Sequence, residues 1–111
     1  MSFRATVELS EQQVADLLCS AWEGGSNYWA NAIGQPYSLT GALDFSEPII
    51  VIDLANDGKR HRLTLAKVEA GCRLLGRVEP RILSDIVTER ADAMTGDAFL
   101  QLCLFGEVLY S

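Results

Sequence analysis

The densest collection of groups able to recognise another molecule is the run Glu23-Gly24-Gly25-Ser26-Asn27-Tyr28-Trp29. Asn27 offers an amide, Tyr28 a phenol and Trp29 a flat aromatic face, and two adjacent glycines let backbone approach a partner closely. Glu23 is the unusual member. A carboxylate in the last turn of a helix meets the negative end of the helix dipole, at a cost of a few tenths up to about 1 kcal/mol. An arginine such as Arg62 or Arg73, the backbone donors of the Gly24-Gly25 turn, or a ligand would offset that cost. A purely structural account competes with this one: Gly-Gly stops a helix, Asn27 caps a short one, and Tyr28 and Trp29 cover the core. Glu23, Gly24, Gly25, Asn27, Tyr28 and Trp29 are the candidate binding corner.

The remaining reactive side chains argue against an enzyme. Catalysis needs a nucleophile or an acid-base pair held in place, and no spacing announces one. The one arrangement to weigh is Glu23 as a base beside Asn27 and Tyr28. The sole histidine, His61, falls on the apolar side of a predicted strand, where a satisfied histidine is commoner than a catalytic one. Asp53 sits where a strand gives way to a turn and is expected to close a hairpin. Asp85 and Glu89, four apart on a predicted helix, read as a solvent-facing pair. One histidine and no CxxC pair leave no metal site, and no cofactor is expected.

The chain has nine basic and fifteen acidic residues and a net charge of −6. Such a balance repels phosphate backbones, so direct nucleic-acid binding is not expected, whereas a basic protein partner is suited. Cys19, Cys72 and Cys103 lie in helix-period apolar patterns, and an odd number of them favours core thiols in a reducing compartment. Neither a leader-like start nor a bilayer-length apolar run is present, so a cytoplasmic protein is expected. A length of 111 residues suits one domain, 1–111, and nearly half its residues are apolar. A domain that small gains by covering an apolar face, which predicts a dimer.

The elements that must position the corner follow from periodicity. Phe3 to Leu9 alternates as a half-buried strand does. Ser10 and Gln13 form a capping box for a helix from Glu11, whose stripe Val14, Leu17, Leu18, Ala21 and Trp22 ends at Gly24-Gly25. Ser26 to Phe45 reads as mostly irregular, with a short helical turn over Asn27 to Ile33. Ile49 to Leu54 and Lys59 to Leu65 form a hairpin about Asn56-Asp57-Gly58. Thr64 caps a second helix ended at Gly76, Pro80 opens a third, and Thr95-Gly96-Asp97 caps a fourth stopped at Gly106. Glu107 to Tyr110 reads as a short final strand. The expected fold is α+β: a small single-layer antiparallel sheet, the N-terminal strand plus the hairpin, packed with three to four helices and with Trp22 buried.

Glu-Gly-Gly-x-Asn-Tyr-Trp after the helix bearing Leu17-Leu18-Cys19 resembles a widespread family of small uncharacterised proteins of tailed bacteriophages and prophages. Leu63-Thr64-Leu65 leading to Gly71, Asp97-Ala98 and the tail Leu104 to Tyr110, Leu-Phe-Gly-Glu-Val-x-Tyr, extend the resemblance over most of the chain. Leu39 to Pro48 and the terminal Ser111 depart from it. The resemblance implies a phage-encoded accessory protein in the host cytoplasm that binds and inhibits a host component, for instance one of antiviral defence. A protein that sequesters a nucleotide-like small molecule is the alternative, and a small hydrolase-like enzyme using Glu23 the next.

Overall fold

The structure, a computed structural model, describes residues 8–78, 80–89 and 91–111. Helix α1 (Glu11–Ser20) begins where expected: the Ser10 hydroxyl accepts from the Gln13 N–H and the Gln13 side chain accepts from the Ser10 N–H. Two of the four orphan donors of the first turn are thereby satisfied. The helix widens into one π-type turn, Ala21–Gly25, broken at Gly24, whose φ of 154° is open to glycine and strained for other residues.

Three strands follow: β1 (Ala30–Ile33), β2 (Ile49–Asp53) and β3 (Lys59–Leu63), antiparallel in the order β1-β2-β3. The hairpin of β2 and β3 matches the sequence reading and turns through left-handed Asp57 and Gly58. The third strand differs. Residues 3–7 of the expected N-terminal strand lie outside the described residues, and Glu8 and Leu9 are not in a strand. The partner of β2 is Ala30–Ile33, from the stretch read as irregular with a helical turn. An Ala-Asn-Ala-Ile run has little strand preference of its own, so β2 acts as its template.

Helix α2 (Leu65–Val78) starts with the Thr64 hydroxyl accepting from the Lys67 N–H and runs past Gly76, where a stop was expected. Helix α3 spans Pro80–Val87, as its proline predicts. Glu89 lies beyond it with φ 59°, so Asp85 and Glu89 do not share a helix face. Helix α4 (Ala93–Phe105) is capped by Asp92 with Thr95 in the reciprocal role, three residues before the expected cap. Thr95, Gly96 and Asp97 lie within the helix and buried. Gly106, left-handed at φ 75°, ends it, and Glu107 to Tyr110 is not a strand.

The fold is thus α+β, a three-stranded sheet with four helices. Helix α4 is its axis, packed against α1, α2, the π-type turn and β3. Close approach needs glycine at two crossings: a methyl on Gly96 would lie 2.6 Å from the Leu17 carbonyl oxygen, and one on Gly71 would strike Cys103. Leu18, Leu75, Phe99, Leu100 and Leu102 fill the centre. Trp22, expected to be buried, is half-buried and packs against this core. The inner sheet face supplies Ala30, Ile49, Val51 and Leu63, and with them one acid, Asp53.

Candidate functional site: a corner clamped by a buried carboxylate

Asp97 is 7% exposed on a helix made otherwise almost wholly of apolar residues. A buried carboxylate costs several kcal/mol unless donors surround it. Here they come from the corner. Oδ1 accepts from the Ser26 hydroxyl and the Trp29 indole N–H, each at 2.7 Å, and Oδ2 accepts from the Tyr28 hydroxyl at 2.6 Å. Gln101, one turn along α4, donates to Oδ2 at 3.1 Å. Bonds to a charged acceptor are the strong class, and four on one side chain fix the corner's shape.

Gln101 extends the clamp to the C-terminal tail. Its Oε1 accepts from the N–H groups of Leu109 and Tyr110 at 2.8 Å, and its Nε2 donates to the Tyr110 carbonyl at 3.0 Å. Tyr110 then stacks at 5.1 Å on Trp29 and donates its hydroxyl to Asp53 Oδ2 at 2.7 Å. That bond, followed by burial, raises the Tyr110 phenol above its ordinary pKa. The two buried acids, Asp53 and Asp97, are therefore bridged by an aromatic layer.

The six corner residues separate into two groups. Trp29, 1% exposed, belongs to the interior, and Gly25 packs where a methyl would meet the Ala93 carbonyl. Glu23, Gly24, Asn27 and Tyr28 are exposed. Neither Arg62 nor Arg73 pairs with Glu23; its carboxylate lies 3.5 Å from the Tyr37 hydroxyl, at the limit of hydrogen bonding. Burial, with Cys19 and Glu23 alongside, pushes the Tyr37 phenol up. Tyr28 combines opposites: its side chain is 55% exposed, yet its hydroxyl is tied to Asp97. Desolvation and the bond to Asp97 hold that phenol at about 12.

Beside the corner lies an open hollow of about 220 Å³, lined by Trp22, Asn27, Asn31, Gly34 and the edge strand β1. The Trp22 indole N–H donates to the Gly34 carbonyl at 2.9 Å, which fixes the ring as one wall. The Leu54 N–H bonds the Trp29 carbonyl, and ladder alternation then turns the N–H and C=O of Ala32 away from β2. Backbone pairing groups and two side-chain amides thus meet at one place.

His61 and Asp53 form the other polar cluster. The His61 ring stands edge-on to Phe105 at 5.0 Å, and Nε2 lies 3.9 Å from Asp53 Oδ2, beyond hydrogen-bond reach. Nε2 is enclosed and has no partner. Burial lowers the pKa of His61, Asp53 opposes that, and Lys59 and Lys67 add to it. Asp53 closes the hairpin as expected, accepting from the Ala55 N–H at 3.1 Å, and anchors the tail as well.

Among the described residues no three His, Cys, Asp or Glu side chains gather as a metal ion requires, and no helix is long and apolar enough to cross a membrane. No protein-family model, no curated protein and no solved structure matches the chain.

Sequence reasoning missed Ser26, Trp22, Asn31, Asp97, Gln101 and Tyr110. One signal did exist. Asp97 and Gln101, four apart in an otherwise apolar helix, share a face that must be buried, and buried polar pairs need partners.

Proposed function

We propose that the chain is a non-catalytic binding protein that presents Tyr28, Asn27 and Glu23 to a protein partner, a host component if the resemblance to phage proteins reflects origin. One observation carries the reading: the exposed Tyr28 ring is held by its own hydroxyl on a buried carboxylate. An aromatic ring immobilised before the encounter loses little entropy on binding, and tyrosine is among the residues that dominate interface energies. Inhibition would follow from occupying the partner's own site. The hollow favours a second reading, a planar nucleotide-like ligand set against Trp22 and bonded by Asn27 and Asn31.

The test compares the wild type with Tyr28→Ala, Asn27→Ala and Glu23→Gln for retention of host proteins and of nucleotides, with thermal melts in parallel. Loss of a protein partner without loss of stability supports the interface. Loss of nucleotide retention alone supports the second reading. Unchanged retention in all three variants overturns both.

A further inference from the structure

The sheet carries a second surface, which meets the hollow beside the corner only at Asn31. Its inner face is covered by helices, while its outer face holds two cross-strand rows fixed by register: Asn31, Ile52 and Arg60, then Ile33, Ile50 and Arg62. Opposed side chains on adjacent strands stand about 5 Å apart, so the isoleucines form one apolar strip bordered by two guanidinium groups. Ile33 is 47% exposed, Ile50 and Ile52 are part-exposed, and both arginines are exposed. Among the described residues no carboxylate lies within 4.0 Å of the Arg60 or Arg62 guanidinium, and Glu47 lines a hollow with Arg62. In a chain of net charge −6 these cations stand out.

We infer that this outer face docks an acidic amphipathic protein segment, whose apolar side chains lie on Ile33, Ile50 and Ile52 and whose carboxylates reach Arg60 and Arg62. Charge complementarity selects the occupant. Two arginines beside apolar side chains match the carboxylates that flank an apolar stripe on a helix or strand. A nucleic acid or an anionic bilayer presents an extended array of phosphates and needs a broader cationic surface than two arginines supply.

The probe is a fluorescein-labelled synthetic 16-residue helical peptide with leucines along one stripe flanked by glutamates, and a control with glutamine at each glutamate. Fluorescence anisotropy should show the acidic peptide binding at least tenfold tighter than the control, with the difference shrinking as salt is raised. Arg60→Glu combined with Arg62→Glu should weaken the acidic peptide at least tenfold, and Ile33→Ser several-fold. Tyr28→Ala should bind it as the wild type does, which separates this surface from the corner. If the double reversal perturbs the melt, Arg60→Gln with Arg62→Gln replaces it. Equal binding of both peptides, or no effect of the arginine substitutions, overturns the inference. So does preferential binding to phosphatidylserine vesicles, or a dimer that the same substitutions dissociate.

Discussion

The Trp29 indole N–H and the Asp97 carboxylate meet at 2.7 Å although 68 residues separate them. The bond joins the most conspicuous motif of the sequence to a helix that closes the fold, and it turns Trp29 inward.

Asp97→Asn is expected to destabilise the protein by about 2–4 kcal/mol, because an amide presents donors to a site already filled with donors. Urea denaturation followed by far-UV circular dichroism measures this. A loss below about 0.5 kcal/mol would remove Asp97 as the clamp.

Tyr28→Phe deletes one hydroxyl and keeps the ring. Its expected cost is about 1 kcal/mol, whereas Glu23→Gln and Asn27→Ala, at exposed positions, should stay within about 0.5 kcal/mol. Thermal melts of the three variants check the ranking.

Two pH windows follow. Tyr28 is raised from 10.0 to about 12 in the folded chain, so its contribution is complete below pH 10 and is lost as pH rises towards 12. His61 is depressed below 6.5, so its contribution is present above pH 6.5 and is lost as pH falls through the folded value. Phenolate absorbance near 295 nm should show a tyrosine titrating late, and acid melts of His61→Gln should be flatter below pH 6.5 than those of the wild type.

Thiol alkylation should follow burial. Cys103, 5% exposed and with its pKa pushed well up by desolvation, should react slowest. Cys19 and Cys72, only half-buried, should react sooner, against the expectation that all three are core thiols. Mass spectrometry over a time course of iodoacetamide labelling gives the order.

Gly96→Ala should destabilise by about 1–3 kcal/mol through a clash with backbone, despite the gain in helix propensity that alanine brings. The added methyl would sit 2.6 Å from the Leu17 carbonyl and 2.9 Å from the Ala21 nitrogen. Chemical denaturation decides it.

How much of this was legible in the sequence depended on distance along the chain. The Ser10–Gln13 box, the hairpin about Asp57-Gly58 and the stop at Gly106 are written within a few residues and were readable. Strand β1 was not, since alanine and asparagine carry no strand signal and only β2 orders them. The α4 cap was misplaced because Thr95-Gly96-Asp97 looks like a turn, while packing of Gly96 against α1 keeps those residues helical. Ser26, Tyr28 and Trp29 of the candidate corner converge on Asp97. The division of that corner into an anchored interior and an exposed rim was invisible, because Asp97, Gln101 and Tyr110 lie some seventy or more residues away.

That separation bears on the order of events during synthesis. Chains emerge N-terminus first, at about 5–20 residues per second, so Ser26, Tyr28 and Trp29 leave the ribosome several seconds before the acid that holds them. Until α4 arrives, Trp29 has no acceptor for its N–H and Tyr28 no tether, and any partner that selects the anchored tyrosine ignores the nascent chain. The corner as a fixed shape is thereby a property of the chain only once α4 has joined it, and a ribosome-bound fragment that ends before Asp97 should lack it.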